Sequence, residues 1–265
     1  MKLTKYHAAG NDFLIGKYEP GIDYSVLATK LCNRHLGVGA DGLIIVTEKP
    51  WSLVIYNNDG TLANVYSNGM LCVAKYLSEN NANHDWFSIN FADKEIQVEI
   101  TKKSPFSSRI NLGKVEFSNE YTKVKSTVKP FFNQEILTVQ GPIHIDTVYI
   151  GAVHTIVWVS TLEKALESEL AKDICNNPIF VERPHVNFVK LIDDNNILVR
   201  TYDKVKGWIL SCGTGAAAAY IVGKTKGKID EKVRVHLEYG RLDFFMNEDN
   251  IIMEGTATKI AEIKY

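Results

Sequence analysis

The sequence predicts a mixed α/β chain made of two similar halves, each wrapping short strands around one apolar helix. Three observations carry this. Ser211-Cys212-Gly213-Thr214-Gly215 is a small polar turn that opens into Ala216 to Ala219, Tyr220, Ile221 and Val222. Alanine is the strongest helix former, and a run with no polar face marks a helix buried on all sides. Ser67-Asn68-Gly69 opens in the same way into Met70 to Leu77. The elements around the two turns then recur in one order: strand, polar turn, apolar helix, and short strands ending in Ile110-Asn111-Leu112-Gly113 or Ile252-Met253-Glu254-Gly255. This period is well above the roughly 20–50 residues of a solenoid, so it reads as an internal duplication.

Along the chain, Lys2 to Tyr6 alternates weakly and reads as a strand, as does Phe13 to Ile15 after the Gly10-Asn11-Asp12 turn. Tyr24 to Leu31 has helical spacing, with Asp23 or Ser25 as cap. Leu43 to Val46 and Leu53 to Tyr56 are strands, and Asp59-Gly60 favours a tight turn. Ser67 and Asn68 are good caps for the apolar helix that follows. Trp86 to Phe91, Ile96 to Ile100 and Arg109 to Leu112 close the first half as strands. In the second half, Thr147 to Ile150 and Thr155 to Val159 are strands, and Leu162 to Cys175 reads as one helix. His185 to Val189 and Ile197 to Tyr202 are strands. After the Cys212 helix come Val233 to Leu237, Leu242 to Met246 and Ile251 to Glu254 as hairpin strands.

Composition narrows the function. A net charge of −1 with scattered Lys and Arg gives no basic stripe, which argues against a nucleic-acid partner. No apolar run approaches the roughly 18 residues of a membrane span, so no membrane role is expected. The four cysteines, Cys32, Cys72, Cys175 and Cys212, show no metal-ligand spacing and no disulfide framework. No metal is expected, and the chain reads as a soluble protein of the reducing cytoplasm. The glycine-rich stretch Arg34 to Gly42 lacks the Gly-Lys-Ser/Thr end of a phosphate loop and the strand–turn–helix setting of a dinucleotide fingerprint.

The Cys212 turn carries the chemistry. The first turn of a helix has unpaired N–H groups and a partial positive charge, which seats an anion such as a carboxylate. The same field lowers a cysteine pKa towards the reactive thiolate. Cys212 beside Gly213 and Gly215 therefore reads as an activated thiol next to an anion site; the plainer reading is a buried cysteine before a small-residue helix. Two such helix starts at one cleft would hold a carboxylate between them, with Tyr66 facing Cys212. His7, His84, His144 and His236 read as structural or surface residues, and Cys32 and Cys175 as inert buried thiols.

Taken together, Gly10 to Phe13, Arg34 to Gly42, Asn57 to Gly60, Ser67 to Gly69, Gly151 to His154, Asn187-Phe188 and Ser211 to Gly215 resemble the diaminopimelate epimerase family, cofactor-independent amino-acid isomerases. The resemblance covers nearly the whole chain. It implies two pseudo-symmetric domains, each a mainly antiparallel, barrel-like sheet around a central helix, with the active site between them. The expected boundaries are 1–113 plus 256–265 and 114–255, the last strand, near Ile260, returning to the first domain. It implies a small amino-acid substrate, no cofactor, and an assembly compatible with a homodimer. In the family two cysteines at the two helix starts exchange the α-proton from opposite faces. Here Cys212 keeps the second position, whereas Tyr66 stands at the first, followed by Ser67 in place of a glycine. Cys72 lies about a turn and a half into the helix and does not substitute.

The resemblance also gives Asn11, Asn57, Asp203 and Lys204 substrate-binding positions, Asp-Lys replacing a Glu-Arg pair that reads the amino-acid group. His185 and Ala152 replace two substrate asparagines, and His154 belongs to the Gly-x-x-His turn that lines the cleft. Amides near Asn68-Gly69 and Gly213-Thr214 would stabilise the developing enediolate. Trp208, Ile209 and Leu210 make the approach to Cys212 more apolar than in the family. Three functions are open on this reading: an isomerase with an unequal Tyr66/Cys212 pair, a one-base enzyme for exchange or elimination, and a non-catalytic relative that binds an amino acid or a protein.

Overall fold

The computed structural model describes residues 1–64, 67–81, 83–166 and 169–265, with the backbone alone for Lys164. The chain divides into two compact units, Met1–Leu112 with Glu254–Tyr265, and Gly113–Met253.

The first unit holds β1 (Lys2–Ala8), β2 (Asn11–Lys17), α1 (Tyr24–Leu31), β3 (Gly42–Thr47), β4 (Ser52–Asn57), α2 (Ser67–Asn80), β5 (Trp86–Phe91), β6 (Lys94–Lys103) and β7 (Phe106–Asn111). β1 runs antiparallel to β2, β2 parallel to β3, β3 antiparallel to β4, β4 parallel to β5, and β5 antiparallel to β6. Parallel neighbours need a crossover, usually a helix; α1 supplies the first and α2 the second. Asp23 caps α1, its carboxylate accepting the Val26 amide at 3.1 Å. The glycine-rich stretch after α1 closes that helix: the amides of Val38 and Gly39 both bond the Leu31 carbonyl, and Gly39 sits at φ +76°. α2 buries every described residue from Ser67 to Ala74. Ser67 and Asn68 were expected as caps; both instead lie inside its first turn.

The second unit repeats the pairing. It holds α3 (Asn119–Thr122), β8 (Gln134–Thr138), β9 (Gly141–Tyr149), β10 (Val153–Trp158), α4 (Glu163–Leu166), α5 (Leu170–Cys175), β11 (His185–Asp193), β12 (Asn196–Asp203), β13 (Gly207–Ile209), α6 (Gly213–Thr225), β14 (Val233–His236) and β15 (Arg241–Asn247). β9 is antiparallel to β10, β10 parallel to β11, β11 antiparallel to β12, β12 parallel to β14, and β14 antiparallel to β15. The two ladders share one alternation of antiparallel and parallel pairs, with a buried helix in the second crossover of each. α6 is buried from Gly213 to Gly223. β16 (Asn250–Gly255) leads back to the first unit, where β17 (Thr258–Lys264) pairs antiparallel with β1.

Within the stretch Leu162 to Cys175, expected as a single helix, the described residues hold α4 and α5, and Glu169 caps α5 outside the helical conformation. Leu162 and Ala165 face the core, and so do Leu170, Ala171, Ile174 and Cys175. At 3.6 residues per turn these two sets fall on opposite faces of one continuous helix, so a break is needed to bury both. β8, α3 and the three-residue β13 were not anticipated.

Candidate active site

Cys212 is the N-cap of α6, with extended backbone and a half-buried side chain. Its Sγ accepts the Gly215 amide at 3.3 Å and lies 3.5 Å from Thr214 Oγ1. The helix start expected to hold an anion thus turns amide groups onto the sulfur of its own cap. Burial pushes the Cys212 thiol above its ordinary value, outweighing the Thr214 hydroxyl and the Gly215 amide that favour the thiolate. The sequence led to the expectation of a lowered value; here desolvation of the anion outweighs the hydrogen bonds that the helix start gives the sulfur.

Behind Thr214 stands a row of polar side chains on adjacent strands. Thr214 Oγ1 lies 3.0 Å from His154 Nε2 on β10. His154 is fully buried, and burial, reinforced by the neighbouring His185, holds it neutral at pH 7. Its register partner on parallel β11 is His185, whose ring stacks on it at 5.2 Å between centroids. His185 Nδ1 faces Asp203 Oδ2 at 3.2 Å and receives the Lys204 amide at 3.4 Å. Burial opposes the charge of Asp203, yet the His185 ring and the Lys206 and Val205 amides more than offset it and hold the carboxyl well below its usual range. Asn187, fully buried on β11, lies 3.3 Å from His154 Nδ1 and accepts the Thr201 hydroxyl at 2.9 Å. Gly215 makes room for it: a β-carbon there would fall 2.3 Å from Asn187 Oδ1.

Of the residues anticipated in this unit, Cys212, Thr214, His154, His185, Asp203 and the Lys204 amide form one contiguous chain of contacts. Gly213 is the buried first residue of α6. The chain runs through Asn187, which the sequence marked only as part of a motif, and ends at Thr201, which it did not mark. The period of two was the available signal: His185 and Asn187, like Thr201 and Asp203, share a face of their strands, and Asn187 lies opposite Thr201. Trp208 packs on Phe188 and Tyr202, while Leu210 is exposed.

In the first unit, Asn11 donates to Asp41 Oδ2 at 2.6 Å, beside an ion cluster in which Arg34 forks onto Asp12 and Lys5 reaches the same carboxylate. Asn57 donates to Thr61 Oγ1 at 3.0 Å within the turn that Asp59 and Gly60 form. Ser67 and Asn68 are buried at the start of α2. Gly69 is a packing glycine, since a β-carbon there would lie 3.3 Å from Ile44 Cδ1. Tyr66 lies outside the described residues. Among the described residues no cluster of His, Cys, Asp or Glu could hold a metal ion, and no helix is long and apolar enough to cross a membrane.

Residues 147–260 match the family model described as diaminopimelate epimerase. A diaminopimelate epimerase of Caldanaerobacter subterraneus subsp. tengcongensis is 34% identical over 258 residues, covering 95% of this chain and 94% of the relative. The chain belongs to the diaminopimelate epimerase family. A second member, from Alkaliphilus metalliredigens, is 34% identical over 278 residues, covering 100% of this chain and 97% of the relative. The fold extends further. A hydroxyproline epimerase structure from Agrobacterium vitis superposes with a TM-score of 0.69 at 13% identity, covering 99% of this chain and 91% of that one. The family match contains the whole His154–Thr214–Cys212 row.

Proposed function

We propose that the protein is an amino-acid isomerase acting without pyridoxal phosphate, which inverts an α-carbon by removing a proton on one face and returning one on the other. Membership of the diaminopimelate epimerase family supports this, and the observation that carries it is Cys212: a cysteine capping a buried helix, its sulfur held by an amide and beside a hydroxyl. Cys212 serves as the base or acid on one face, and Tyr66 as its counterpart on the other. The units Met1–Leu112 with Glu254–Tyr265 and Gly113–Met253 act as the two domains. Asn11, Asn57 and the amides near Asn68 and Gly69 hold substrate from one, and His185, Asp203, Lys204, Gly213 and Thr214 from the other.

The acid–base pair is unequal. A phenol starts near pKa ~10 and a thiol near ~8.5, and burial raises the Cys212 thiol from its starting value, so the two faces carry chemically different groups. The substrate is a free amino acid. Diaminopimelate, on which the named relatives act, is the first candidate, but Asp203-Lys204 cannot reproduce the bidentate carboxylate recognition of an acidic residue paired with arginine.

The test is exchange of the α-proton in deuterated water across a panel of amino acids that includes diaminopimelate. Exchange with inversion for one of them is expected, abolished by Cys212→Ala. No exchange for any member overturns the reading. The tyrosine at position 66 favours one alternative, single-base exchange or elimination from Cys212 alone. Retained configuration or an unsaturated product identifies it.

A further inference from the structure

The geometry points to Asn187 as the residue that sets the direction of the hydrogen-bond chain ending on Cys212, by fixing His154 in its Nε2–H tautomer. The inference rests on the reading of Cys212 as the acid–base group and adds a positioning residue behind it.

The amide orientation of Asn187 is decided by backbone groups. Its Nδ2 lies 3.2 Å from the Thr155 carbonyl and 3.4 Å from the His185 carbonyl, and both are acceptors only. Its Oδ1 receives the Thr201 hydroxyl at 2.9 Å. Turning the amide over would set Oδ1 against the Thr155 carbonyl, two acceptors face to face in a site without exposure. The NH2 group therefore faces His154 Nδ1 at 3.3 Å, and that ring nitrogen accepts. A neutral imidazole has one donor and one acceptor, so Nε2 carries the hydrogen and donates to Thr214 Oγ1 at 3.0 Å. The Thr214 hydrogen is then free to point at Cys212 Sγ, 3.5 Å away. With the Gly215 amide, the sulfur collects two donors.

The opposite tautomer would set Nδ1–H against the Asn187 NH2 group, two donors face to face, and reverse the bond to Thr214. Nε2 would accept from the Thr214 hydroxyl, and an oxygen lone pair would face the sulfur. A thiolate is stabilised by the first arrangement and opposed by the second. The charged and titratable groups around His154, namely His185, Asp203 and Lys204, lie on the β11–β12 side. Among the described residues, Asn187 is the group that contacts Nδ1.

Nitrogen-15 NMR of histidine-labelled protein tests this with no substrate present. His154, assigned by loss of its signals in His154→Gln, is expected to show an unprotonated Nδ1 and a protonated Nε2. A protonated Nδ1 in the unsubstituted protein overturns the proposal, whatever the variants do. Asn187→Asp replaces the donor by an acceptor, so the proton is expected to move to Nδ1. Alkylation of Cys212 by iodoacetamide, followed by peptide mass spectrometry, is then expected to slow about tenfold at fixed pH, the scale of one hydrogen bond to a charged group. Thr214→Val removes the last link, and the Asn187→Asp effect on alkylation should vanish in that background. An unchanged tautomer in folded Asn187→Asp, or an equal slowing with and without Thr214, refutes the assignment. Neither readout needs turnover, so a failed exchange assay and a failed tautomer assignment are separate results.

Discussion

Thr201 and Asn187 face each other across β12 and β11, the Thr201 hydroxyl donating to Asn187 Oδ1 over 2.9 Å in a site closed to solvent. Thr201→Val keeps the shape and removes the donor. It leaves a buried carbonyl oxygen unpaired, which costs about 1–3 kcal/mol. Thr201→Ser should recover most of that loss. Urea denaturation of the two variants measures both values, and equal midpoints for them would contradict the expectation.

Gly215→Ala is expected to be more damaging than an alanine inside a helix has any right to be. Propensity alone favours the change by about 1 kcal/mol. The new methyl would stand 2.3 Å from Asn187 Oδ1 and 3.2 Å from Thr201 Oγ1. Neither neighbour can yield without breaking its bond, so a net destabilisation of about 1–3 kcal/mol is expected. Thermal unfolding decides the sign.

His154 makes stability depend on acid. Burial, then His185, depresses its folded-state value well below the ordinary one. In the unfolded chain the ring takes a proton near pH ~6.5. Below that pH the unfolded state binds a proton that the folded state does not, so stability falls with falling pH, by up to about 1.4 kcal/mol per unit. It is restored as pH rises through the same window. His154→Gln should remove this slope. The readout is the difference in urea midpoint between variant and parent at pH 7 and pH 5.

Much of this was legible in the residues. The apolar runs after Ser67-Asn68-Gly69, interrupted by Lys75 alone up to Leu77, and after Cys212, from Ala216 to Val222, announced two buried helices. The strands showed by their period and their turns. What escaped depends on contacts between elements. Gly207-Trp208-Ile209 is too short to show a period, and its pairing with β12 makes it a strand. The break between α4 and α5 follows from which faces the core demands. The Thr201–Asn187–His154–Thr214 row crosses β12, β11 and β10 and reaches α6, and sequence spacing alone does not report strand register. The raised thiol value of Cys212 has the same origin, since desolvation depends on everything packed around it.

At position 66 the expectation is chemical. Tyr66→Cys would replace the phenol by a thiol, as at the first helix start of the family, and should raise α-proton exchange where Tyr66→Phe abolishes return of the proton on that face. The measurement is the ratio of inversion to exchange in deuterated water. Identical ratios in both variants would mean that residue 66 takes no part.

The pairing of β1 with β17 has a bearing on synthesis. A ribosome delivers β1 before β17, and this one of its two flanking partners is encoded after the entire Gly113–Met253 unit. Until then that strand offers bare amides and carbonyls along one side, the kind of border that recruits stray chains. The strand β1 therefore gains this neighbour only after the whole Gly113–Met253 unit has been made.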